Sequence, residues 1–518
     1  MIFLQWSTLG YLATRGERKY GEQIAIVSEG RRFTYLEFNR RCCQLANALT
    51  DLGLKKGDNI AFMCYNTNEA LEILIGAGKV GVVVLPTNRR LSVLEITKIF
   101  QQTEPKALFF DQDFMDMAVD IMQSIPSIMK GICIGDSEES GFASYEKLIG
   151  KYPHTEPDIK IEDEDIHSIY FTSGTTGTPK GVMRTHSSNV AMAIETALTL
   201  KMNSMDPYVL LYSFPITSAA FYGLGFTAFL FGGRIVLQKV FNAQEFMSVV
   251  VAEKVTMMAI GPTMWDMLLE VESDFTKYDL SHVRWAAWGG MPVSEWTTQE
   301  MLRRGFPIPL TCTYGLSECT CCIYQTDFEV AKKKPKSAGK PTPSTEFRIV
   351  DPNMNDVKQG EMGELIIRSP IIMKGYYGKP DITKETIIDG WLKTGDTAMI
   401  DEDGDLFIVD RIKDMIISGG ENIYPAEVEN VIANMPEVRE VAVIGVPDKK
   451  WGQSVTAYIV LEEGKSLTEQ EVKDYCVQYL ARYKRPKFVK FVDEIHKNDM
   501  GKFQKNWLLQ SWLNEDLS

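Results

Sequence analysis

The chain has 518 residues, which is too many for one ordinary hydrophobic core and enough for two to four domains or subdomains. Hydrophobic residues make up 45% and charged residues 24%, the composition of a folded globular protein rather than of a disordered chain. The formal net charge of -14 argues against general nucleic-acid binding, because an acidic surface repels a polyanion. A local basic patch that holds the phosphates of a small ligand is still compatible with this charge.

The cysteines indicate a reducing compartment. There are nine of them, an odd number, and neighbours such as Cys42 and Cys43 cannot easily join distant segments through disulfides. A cytoplasmic location is therefore predicted. The N-terminus has no Lys or Arg ahead of its apolar stretch and no small-residue cleavage site, so no signal peptide is predicted.

Short apolar runs alternate with helical patterns over the first 160 residues. Residues 59–63 and 81–86 have the pattern of buried strands, and residues 70–77 between them have that of a helix. The alternation recurs further along as a strand at 233–237, a helix at 243–253 and a strand at 256–260. This order predicts βαβ units and a large α/β domain with partly parallel sheets.

Residues 170–181, Tyr-Phe-Thr-Ser-Gly-Thr-Thr-Gly-Thr-Pro-Lys-Gly, form the most informative segment. A predicted strand at 166–171 leads into a loop with three glycines, five hydroxyl side chains and Lys180. Phosphate oxygens accept hydrogen bonds from backbone N–H groups at glycines, from hydroxyls and from an ammonium, and this loop offers all three. The alternative is an ordinary Gly/Ser/Thr turn. The spacing is not that of a Walker A loop. Pro179 and the β-branched Val182 predict a flexible loop rather than an immediate helix N-terminus.

No charged residue occurs between Tyr208 and Gly233, a length that could span a bilayer. Ser213, Pro215 and several glycines divide this stretch into short pieces. We therefore predict a buried strand, a turn and a buried helix here, and no membrane span.

The loop at 170–181 resembles the signature loop of the adenylate-forming superfamily, which includes acyl-CoA synthetases, peptide-synthetase adenylation domains and beetle luciferases. Further segments agree with this resemblance in order and spacing, from about residue 33 to residue 505, and acyl-CoA synthetases are the closest group. The resemblance implies that the loop binds the phosphates of ATP. The residues implied are Thr172, Ser173, Gly174, Thr175, Thr176, Gly177 and Lys180.

Residues 313–318, Thr-Tyr-Gly-Leu-Ser-Glu, are similar to the superfamily's Tyr-Gly-x-Thr-Glu segment. The resemblance makes Glu318 a catalytic residue and the ligand of Mg²⁺, which prefers hard oxygen ligands and accompanies nucleotide phosphates. It also implies a phosphate contact for Ser317 and stacking of Tyr314 on adenine. Taken alone, a glutamate after a turn is usually only solvated. The ATP-binding residues implied here are Thr313, Tyr314, Gly315 and Ser317.

Residues 288–292, Trp-Gly-Gly-Met-Pro, resemble the superfamily's Gly-Gly-Ala-Pro turn beside the adenine and the acyl pocket. Gly289 and Gly290 are thereby assigned to ATP, and Met291 replaces the usual alanine. Many members carry a histidine where Ser218 stands in this chain. The acyl-pocket residues expected from the resemblance are Ser218, Phe221, Tyr222, Trp288 and Met291.

Two segments near residue 400 resemble the superfamily's ribose-binding motifs. Residues 391–396 end in Asp396, expected to accept hydrogen bonds from the two ribose hydroxyls, and residues 410–414 contain Arg411, expected to reach the ribose or phosphate. Lys413 stands at the position of the superfamily's hinge. A simple turn and a surface ion pair are the alternatives when each motif is taken alone.

The last hundred residues predict a small α+β domain. The patterns indicate a helix at 426–433, strands at 441–445 and 455–461, and a helix near 467–480. We place the boundary at the charged stretch 410–414. This gives an N-terminal adenylate-forming domain at 1–410 and a smaller, mobile C-terminal domain at 411–518.

Residues 498–505, Asn-Asp-Met-Gly-Lys-Phe-Gln-Lys, resemble the superfamily's C-terminal lysine motif. Lys502 is then the catalytic lysine, although His496 and Met500 depart from the usual proline and small or hydroxyl residue. The resemblance also implies that Gly419 and Gly420 border the pantetheine tunnel of CoA. The cluster at 482–490, with Lys484, and the nearby Lys505 would bind the CoA phosphates, unless the cluster is only a solvated basic face.

The resemblance implies an acyl-CoA synthetase that uses ATP, Mg²⁺ and coenzyme A on a small carboxylic acid, as a monomer or homodimer. The alternatives are an adenylation enzyme that loads a carrier-protein thiol or an amine, and a nucleotide-binding regulatory protein. No Asp or Glu between residues 208 and 233 is present to pair with a substrate amine, which disfavours an amino acid. The cysteines at 312, 319, 321 and 322 do not form the two C-x₂-C pairs of a zinc site and are predicted to be buried small hydrophobes.

Overall fold

The computed structural model describes residues 7–135, 141–172, 179–203, 208–290, 295–411, 414–418, 421–448, 451–497 and 503–515. The chain divides into two compact units. Unit 1 contains Met1–Glu346 and Arg368–Leu392, and unit 2 contains Phe347–Ile367 and Lys393–Ser518. The expected boundary after residue 410 falls inside unit 2, because the strand that ends at Arg411 pairs with the strand at residues 391–400.

The α-helices of the described residues begin mostly at polar capping residues. In helix α2, for example, the Thr34 side chain accepts from the backbone of Glu37, and the Glu37 side chain accepts from the backbone of Thr34. The helices are α1 (Leu9–Tyr20), α2 (Tyr35–Asp51), α3 (Asn68–Val80), α4 (Val93–Thr103), α5 (Met115–Ser124), α6 (Tyr145–Ile149), α7 (His186–Thr199), α8 (Ala220–Leu230), α9 (Ala243–Ala252), α10 (Pro262–Val271), α11 (Glu295–Arg303), α12 (Phe328–Lys333), α13 (Pro380–Thr386), α14 (Pro425–Ile432), α15 (Glu469–Tyr479) and α16 (Lys505–Glu515).

Most strands are short, and most are rich in β-branched or aromatic residues. They are β1 (Ile24–Ser28), β2 (Arg31–Thr34), β3 (Asn59–Met63), β4 (Val83–Pro86), β5 (Ala107–Asp111), β6 (Lys130–Ile134), β7 (Ala143–Ser144), β8 (Ile166–Thr172), β9 (Lys180–Thr185), β10 (Val209–Tyr212), β11 (Arg234–Leu237), β12 (Met257–Ile260), β13 (Trp285–Gly289), β14 (Thr311–Leu316), β15 (Thr320–Tyr324), β16 (Ser337–Pro341), β17 (Glu346–Val350), β18 (Gly363–Arg368), β19 (Gly375–Tyr376), β20 (Ile387–Ile388), β21 (Trp391–Ile400), β22 (Leu406–Arg411), β23 (Ile416–Ser418), β24 (Glu421–Ile423), β25 (Val438–Asp448), β26 (Gly452–Leu461) and β27 (Phe488–Phe491).

Unit 1 contains a sheet with the strand order β16-β15-β14-β13-β12-β10-β11-β1-β2. From β14 to β1 every neighbouring pair is parallel, whereas β15, β16 and β2 run antiparallel to their neighbours. Helices α9, α10 and α11 connect successive parallel strands, which is the βαβ arrangement that the sequence predicts. The strands predicted at 233–237 and 256–260 are confirmed as β11 and β12.

A second sheet of unit 1 has the order β19-β9-β8-β4-β3-β5-β6-β7. Its strands from β8 to β7 are parallel, and β9 returns antiparallel to β8. Leu85 and Leu108 of this sheet pack with Phe100 of α4 and Ile121 of α5 in one buried core. The predicted strand at 59–63 is β3, and the helix predicted at 70–77 is the longer α3.

The charge-free stretch of unit 1 is interior. It forms strand β10, a turn and helix α8, as predicted, and every residue of α8 from Phe221 to Leu230 is buried. Within the described part of the chain, no helix has both the length and the apolar character needed to cross a membrane.

Unit 2 ends in a sheet with the order β24-β23-β26-β25, with β27 beside β26. Alternate residues of a strand point to opposite faces. Val443 packs with Val428 of α14 and Val472 of α15 on one face, and Ile444 packs with Leu508 of α16 on the other. The fold class is confirmed: a large α/β part is followed by a smaller α+β part.

Candidate active site

Parallel strands bring three predicted segments of unit 1 to one edge. Strands β10, β12, β13 and β14 are parallel neighbours, so their carboxyl ends meet at the same side of the sheet. Ser218 follows β10, Gly289 ends β13, and the segment at 313–318 ends β14. Ligands of open α/β sheets bind outside the carboxyl ends of the strands. The predicted adenine and acyl segments therefore lie where this fold places its ligands.

The predicted phosphate loop is flanked by an antiparallel strand pair. Thr172, the last residue of β8, pairs with Lys180, the first residue of β9. A strand and not a helix follows the loop, as Pro179 and Val182 predict. The loop residues Ser173, Gly174, Thr175, Thr176 and Gly177 lie outside the described residues.

Glu318 is held by the segment around β19. The Tyr376 hydroxyl donates a hydrogen bond of 2.8 Å to Glu318 Oε1, and the Met373 backbone N–H donates one of 2.7 Å to the Glu318 carbonyl oxygen. Tyr376 lies on β19, which pairs with β9, and Lys180 Nζ lies 5.1 Å from the centroid of the Tyr376 ring. One tyrosine thus contacts both the predicted metal ligand and the lysine of the phosphate loop. Tyr376 was not predicted from the sequence, where its one local sign is its place after Gly375.

Arg184 of β9 is a fully buried cation behind Glu318. It donates to Asn189 Oδ1 at 2.6 Å, to the Ile371 carbonyl at 3.1 Å and to the Ser317 carbonyl at 3.4 Å. No carboxylate of the described residues forms an ion pair with it, and burial lowers the pKa of the guanidinium. Arg184 therefore joins the 317–318 turn to the 371–376 segment, a role for which the sequence has no motif.

The turn that carries Glu318 requires glycine at position 315. A Cβ on Gly315 would lie 1.3 Å from the Thr320 carbonyl oxygen, far inside van der Waals contact. Thr320 itself has a φ of 47°, which is unusual for a β-branched residue. The β14–β15 hairpin is thus drawn tight at Gly315 and Thr320, and this geometry orients the residues between them.

The predicted acyl-pocket residues fall into two groups. Phe221 and Tyr222 are fully buried, and the Tyr222 hydroxyl lies 3.1 Å from His167 Nδ1. Ser218 is half-buried at the start of the helical segment. Trp288 is buried at the end of β13, and its Nε1 has no hydrogen-bond partner among the described residues. Met291 lies outside the described residues, so the pocket stays a prediction.

The other ATP residues of unit 1 lie at the same strand ends. Gly289 pairs with Thr313 across β13 and β14. A Cβ added at Gly289 would lie 3.0 Å from the Thr313 carbonyl oxygen. Gly290 is exposed, and Tyr314 and Ser317 are half-buried. These positions are compatible with contacts to a ligand at the strand ends.

Unit 2 brings the two predicted ribose residues together. Arg411 Nε lies 2.6 Å from Asp396 Oδ1, and the two residues are direct partners across β21 and β22. The Asp396 side chain is 4% exposed and that of Arg411 35%. Asp410 beside them accepts the backbone N–H of Ala426 in the first turn of α14.

The two lysines predicted to bind CoA are paired with glutamates of α14. Lys484 Nζ lies 2.7 Å from Glu427, and Lys505 Nζ lies 2.7 Å from Glu429. Burial acts to lower the pKa of Lys505, but the carboxylates of Glu429 and Asp410 raise it overall. The hinge residue Lys413, the glycines Gly419 and Gly420, and the catalytic candidate Lys502 lie outside the described residues.

All nine cysteines are buried, and this confirms the burial predicted for the four at 312, 319, 321 and 322. Cys319 and Cys322 approach to 3.5 Å between their sulfur atoms beside the Glu318 turn, and burial raises the pKa of Cys322 well above its usual value. They are packed as small hydrophobic residues, and no disulfide joins them.

Comparison with known proteins identifies the family. A family model described as AMP-binding enzyme matches residues 13–377, and one described as AMP-binding enzyme C-terminal domain matches residues 427–502. The chain belongs to the AMP-binding enzyme family. The superfamily inferred from the motifs is therefore confirmed.

This AMP-binding enzyme is similar to curated proteins along nearly its whole length. It is 33% identical over 490 residues to a putative acyl-CoA ligase, YdaB, of Bacillus subtilis, covering 94% of this chain and 96% of that protein. It is 33% identical to a feruloyl-CoA synthase of Amycolatopsis (96% and 97% covered) and 32% identical to a fatty acid–[acyl-carrier-protein] ligase, ScoC, of Streptomyces coeruleorubidus (93% and 92% covered).

Solved structures give the same assignment. ATP-bound MatB from Rhodopseudomonas palustris superposes with a TM-score of 0.88 at 27% identity, covering 97% of this chain and 99% of that one. The amide bond synthetase McbA from Marinactinospora thermotolerans superposes with a TM-score of 0.87 at 26% identity, covering 98% and 100%. These similarities place the chain among ligase-family proteins.

Proposed function

We propose that the chain is an ATP-dependent carboxylic acid–CoA ligase that works through an acyl-adenylate. The observation that supports this most is the group formed by Glu318, Tyr376 and Lys180 beside the phosphate loop. It offers one carboxylate for a divalent cation and one ammonium for phosphate at the same edge of unit 1. Similarity over nearly the whole length to proteins named acyl-CoA ligases supports the same activity.

In the first half-reaction an oxygen of the substrate carboxylate attacks the α-phosphorus of ATP, and the bond to pyrophosphate breaks. Two anions must meet, so the protein acts mainly by neutralising charge and by positioning. Lys180 and the hydroxyl-rich loop are proposed to hold the phosphates. Asp396 and Arg411 are proposed to hold the ribose. Lys502 is proposed to neutralise both the carboxylate and the α-phosphate.

The residues present fit Mg²⁺. Glu318 is half-buried and offers a hard oxygen donor, and among the described residues the Tyr376 hydroxyl bonds to its Oε1. When bound, Mg²⁺ would screen the phosphate charge while keeping several of its waters. Glu318 is the residue proposed to hold it.

In the second half-reaction the CoA thiolate attacks the acyl carbonyl carbon, the bond to the AMP oxygen breaks, and AMP leaves. Gly419 and Gly420 are proposed to border the pantetheine arm. Lys484 and Lys505 are proposed to meet the CoA phosphates. Because both lysines are paired with glutamates of α14, CoA binding would require them to exchange partners.

The alternative acceptor is a carrier-protein thiol or an amine. This alternative is supported by similarity to proteins named as an acyl-carrier-protein ligase and as an amide bond synthetase. An enzyme with either of these acceptors would share the adenylation half-reaction of the proposed CoA ligase and would differ from it only in the nucleophile. The absence of an acidic residue between positions 208 and 233 disfavours an amino acid as the activated substrate.

A panel of carboxylic acids tests the proposal. Short, long-chain, aromatic and dicarboxylic acids would each be incubated with Mg²⁺ and ATP, with and without CoA, while pyrophosphate and thioester are measured. We expect acid-dependent pyrophosphate release that CoA accelerates, with an acyl-CoA product detected by mass. Release that an added amine accelerates but CoA does not would select the alternative, and no acid-dependent release would overturn both.

The same assay tests the catalytic lysine. Lys502→Ala should reduce acyl-adenylate formation by about 10²–10³, because a charge that neutralises the transition state is removed. Lys497→Ala is the matched control, since Lys497 is nearby in the chain and pairs with Glu440 at 2.7 Å. Equal loss in both variants would contradict a special role for Lys502.

A further inference from the structure

We propose that Tyr376 is a positioning residue that holds Glu318 and Lys180 in place while keeping these opposite charges from pairing with each other. The inference rests on the proposed function in taking ATP with Mg²⁺ as the ligand. Its physical basis is that one side chain offers two different contacts, a hydroxyl donor at its tip and a ring face along its side.

The hydroxyl contact anchors the carboxylate. Tyr376 donates to Glu318 Oε1 at 2.8 Å, and Met373, three residues earlier on the same segment, holds the Glu318 backbone at 2.7 Å. A glutamate fixed at both its backbone and one oxygen loses little rotamer freedom when a cation binds the other oxygen. Tyr376 therefore pre-organises Glu318 for a divalent cation.

The ring contact holds the ammonium. Lys180 Nζ lies 5.1 Å from the ring centroid, within the range of a cation–π interaction. No ion pair joins Lys180 to Glu318 in the described ranges of the chain. Two half-exposed opposite charges this close to one side chain would otherwise tend to neutralise each other. The tyrosine gives each charge its own partner, so both stay available to a ligand.

β-sheet pairing fixes the position of Tyr376. It is the direct partner of Val182 on β9, two residues after Lys180, and its backbone N–H donates to Thr383 Oγ1 at 2.9 Å. The Tyr377 backbone N–H donates to the Gly181 carbonyl. The ring therefore cannot drift along the strand without breaking these bonds.

Two substitutions separate the two contacts. Tyr376→Phe keeps the ring and removes the hydroxyl, so it should weaken ATP binding about tenfold when Mg²⁺ is present and leave ATP binding in EDTA unchanged. Tyr376→Leu removes both contacts and should weaken binding under both conditions, because Lys180 becomes free to pair with Glu318. Equilibrium dissociation constants for ATP, measured calorimetrically on the full chain, are the readout.

Tyr377→Phe is the matched control, because the Tyr377 ring packs against the core of the second sheet and not against Glu318. It should bind ATP as the wild type does, and the unfolding midpoints of all variants should agree. The KM for the acid should not change in Tyr376→Phe, since the acyl pocket is untouched.

A double substitution decides whether Tyr376 acts through Glu318. In the Glu318→Gln background, adding Tyr376→Phe should have no further effect on Mg²⁺-dependent ATP binding. Equal effects in both backgrounds, or unchanged binding in Tyr376→Phe, would overturn the inference. Wild-type chain that binds Mg²⁺-ATP but activates no acid would overturn the proposed function alone, and failure to bind Mg²⁺-ATP would overturn both.

Discussion

At the scale of single residues, two buried histidines of unit 1 should make its stability depend on pH. His167 Nε2 lies 2.9 Å from the Leu74 carbonyl and its Nδ1 lies 3.1 Å from the Tyr222 hydroxyl, which suits a neutral ring that donates at Nε2 and accepts at Nδ1. Burial lowers the pKa of His167 to about 4 and that of the neighbouring His186 well below its usual value.

Folding should therefore weaken as pH falls. Unfolded His167 takes up a proton near pH 6.5, whereas the folded ring stays neutral to about pH 4, so its contribution is present above pH 6.5 and is lost toward pH 4. At pH 5 the loss amounts to about 2 kcal/mol. Urea unfolding at pH 7 and pH 5 measures it.

His167→Gln keeps hydrogen-bonding capacity and should make the unfolding free energy less dependent on pH. His154→Gln, at an exposed histidine, is the control and should retain the wild-type dependence. An unchanged pH dependence in His167→Gln would show that other groups account for it.

Part of the candidate site was predicted from the sequence. Glu318, Asp396 and Arg411 were predicted because their segments resemble motifs of the superfamily in order and spacing, and Lys180 because it follows a loop rich in glycine and hydroxyl residues. Tyr376 was not, because its role comes from Glu318, 58 positions away in the chain. The same holds for Arg184, whose partner Ser317 is 133 positions away.

At the scale of elements, the β14–β15 hairpin is the most constrained part of the site. Gly315 approaches the Thr320 carbonyl so closely that no side chain fits, and Glu318 lies inside the turn between them. Any displacement of the hairpin therefore moves the predicted metal ligand.

Gly315→Ala should reduce acyl-adenylate formation at least tenfold, because the new Cβ would lie 1.3 Å from the Thr320 oxygen and force the turn apart. Acid-dependent pyrophosphate exchange measures this. Gly30→Ala is the control, because nothing lies within 4 Å of a Cβ added at Gly30, although Gly30 has a positive φ of 78° that Gly315 lacks. If the two variants lose equal activity, steric overlap at Gly315 is not the cause.

Elements that form a continuous periodic run of residues could be predicted from the sequence. The buried strand at 59–63 and the helix at 426–433 are continuous periodic runs, and they correspond to β3 and α14. Strand β19 was not predictable, because Gly375 and Tyr376 are too few residues to show a period. It exists only through its pairing with β9, a long-range contact.

At the scale of the whole molecule, the resemblance predicts a hinge at Lys413 between the two half-reactions. Lys413→Pro restricts φ at that position and should slow thioester formation more than adenylation. Single-turnover measurements of the two half-reactions test this. Lys413→Ala, which removes the side chain but leaves the backbone free, should affect the thioester step less, and equal slowing of both steps in the proline variant would contradict the hinge.

The division into units follows strand pairing rather than chain order. Residues 347–367 belong to unit 2, and the chain is again part of unit 1 from residue 368 to residue 392. Strands β17 and β18 are neighbours of β21 and β22 in the sheet order. The boundary predicted at residues 410–414 divides the chain once. The two units each contain two segments of the chain, so the chain passes between them more than once.

The family could be predicted from the sequence because several motifs resemble those of the superfamily, and the succession of α/β and α+β parts because it depends on residue type and local period. Which side chains meet at the predicted metal ligand depends on tertiary contacts. Tyr376 reaches Glu318 and Lys180 because β19 pairs with β9 at one register, and the free energy that selects this register comes from contacts between residues far apart in the chain.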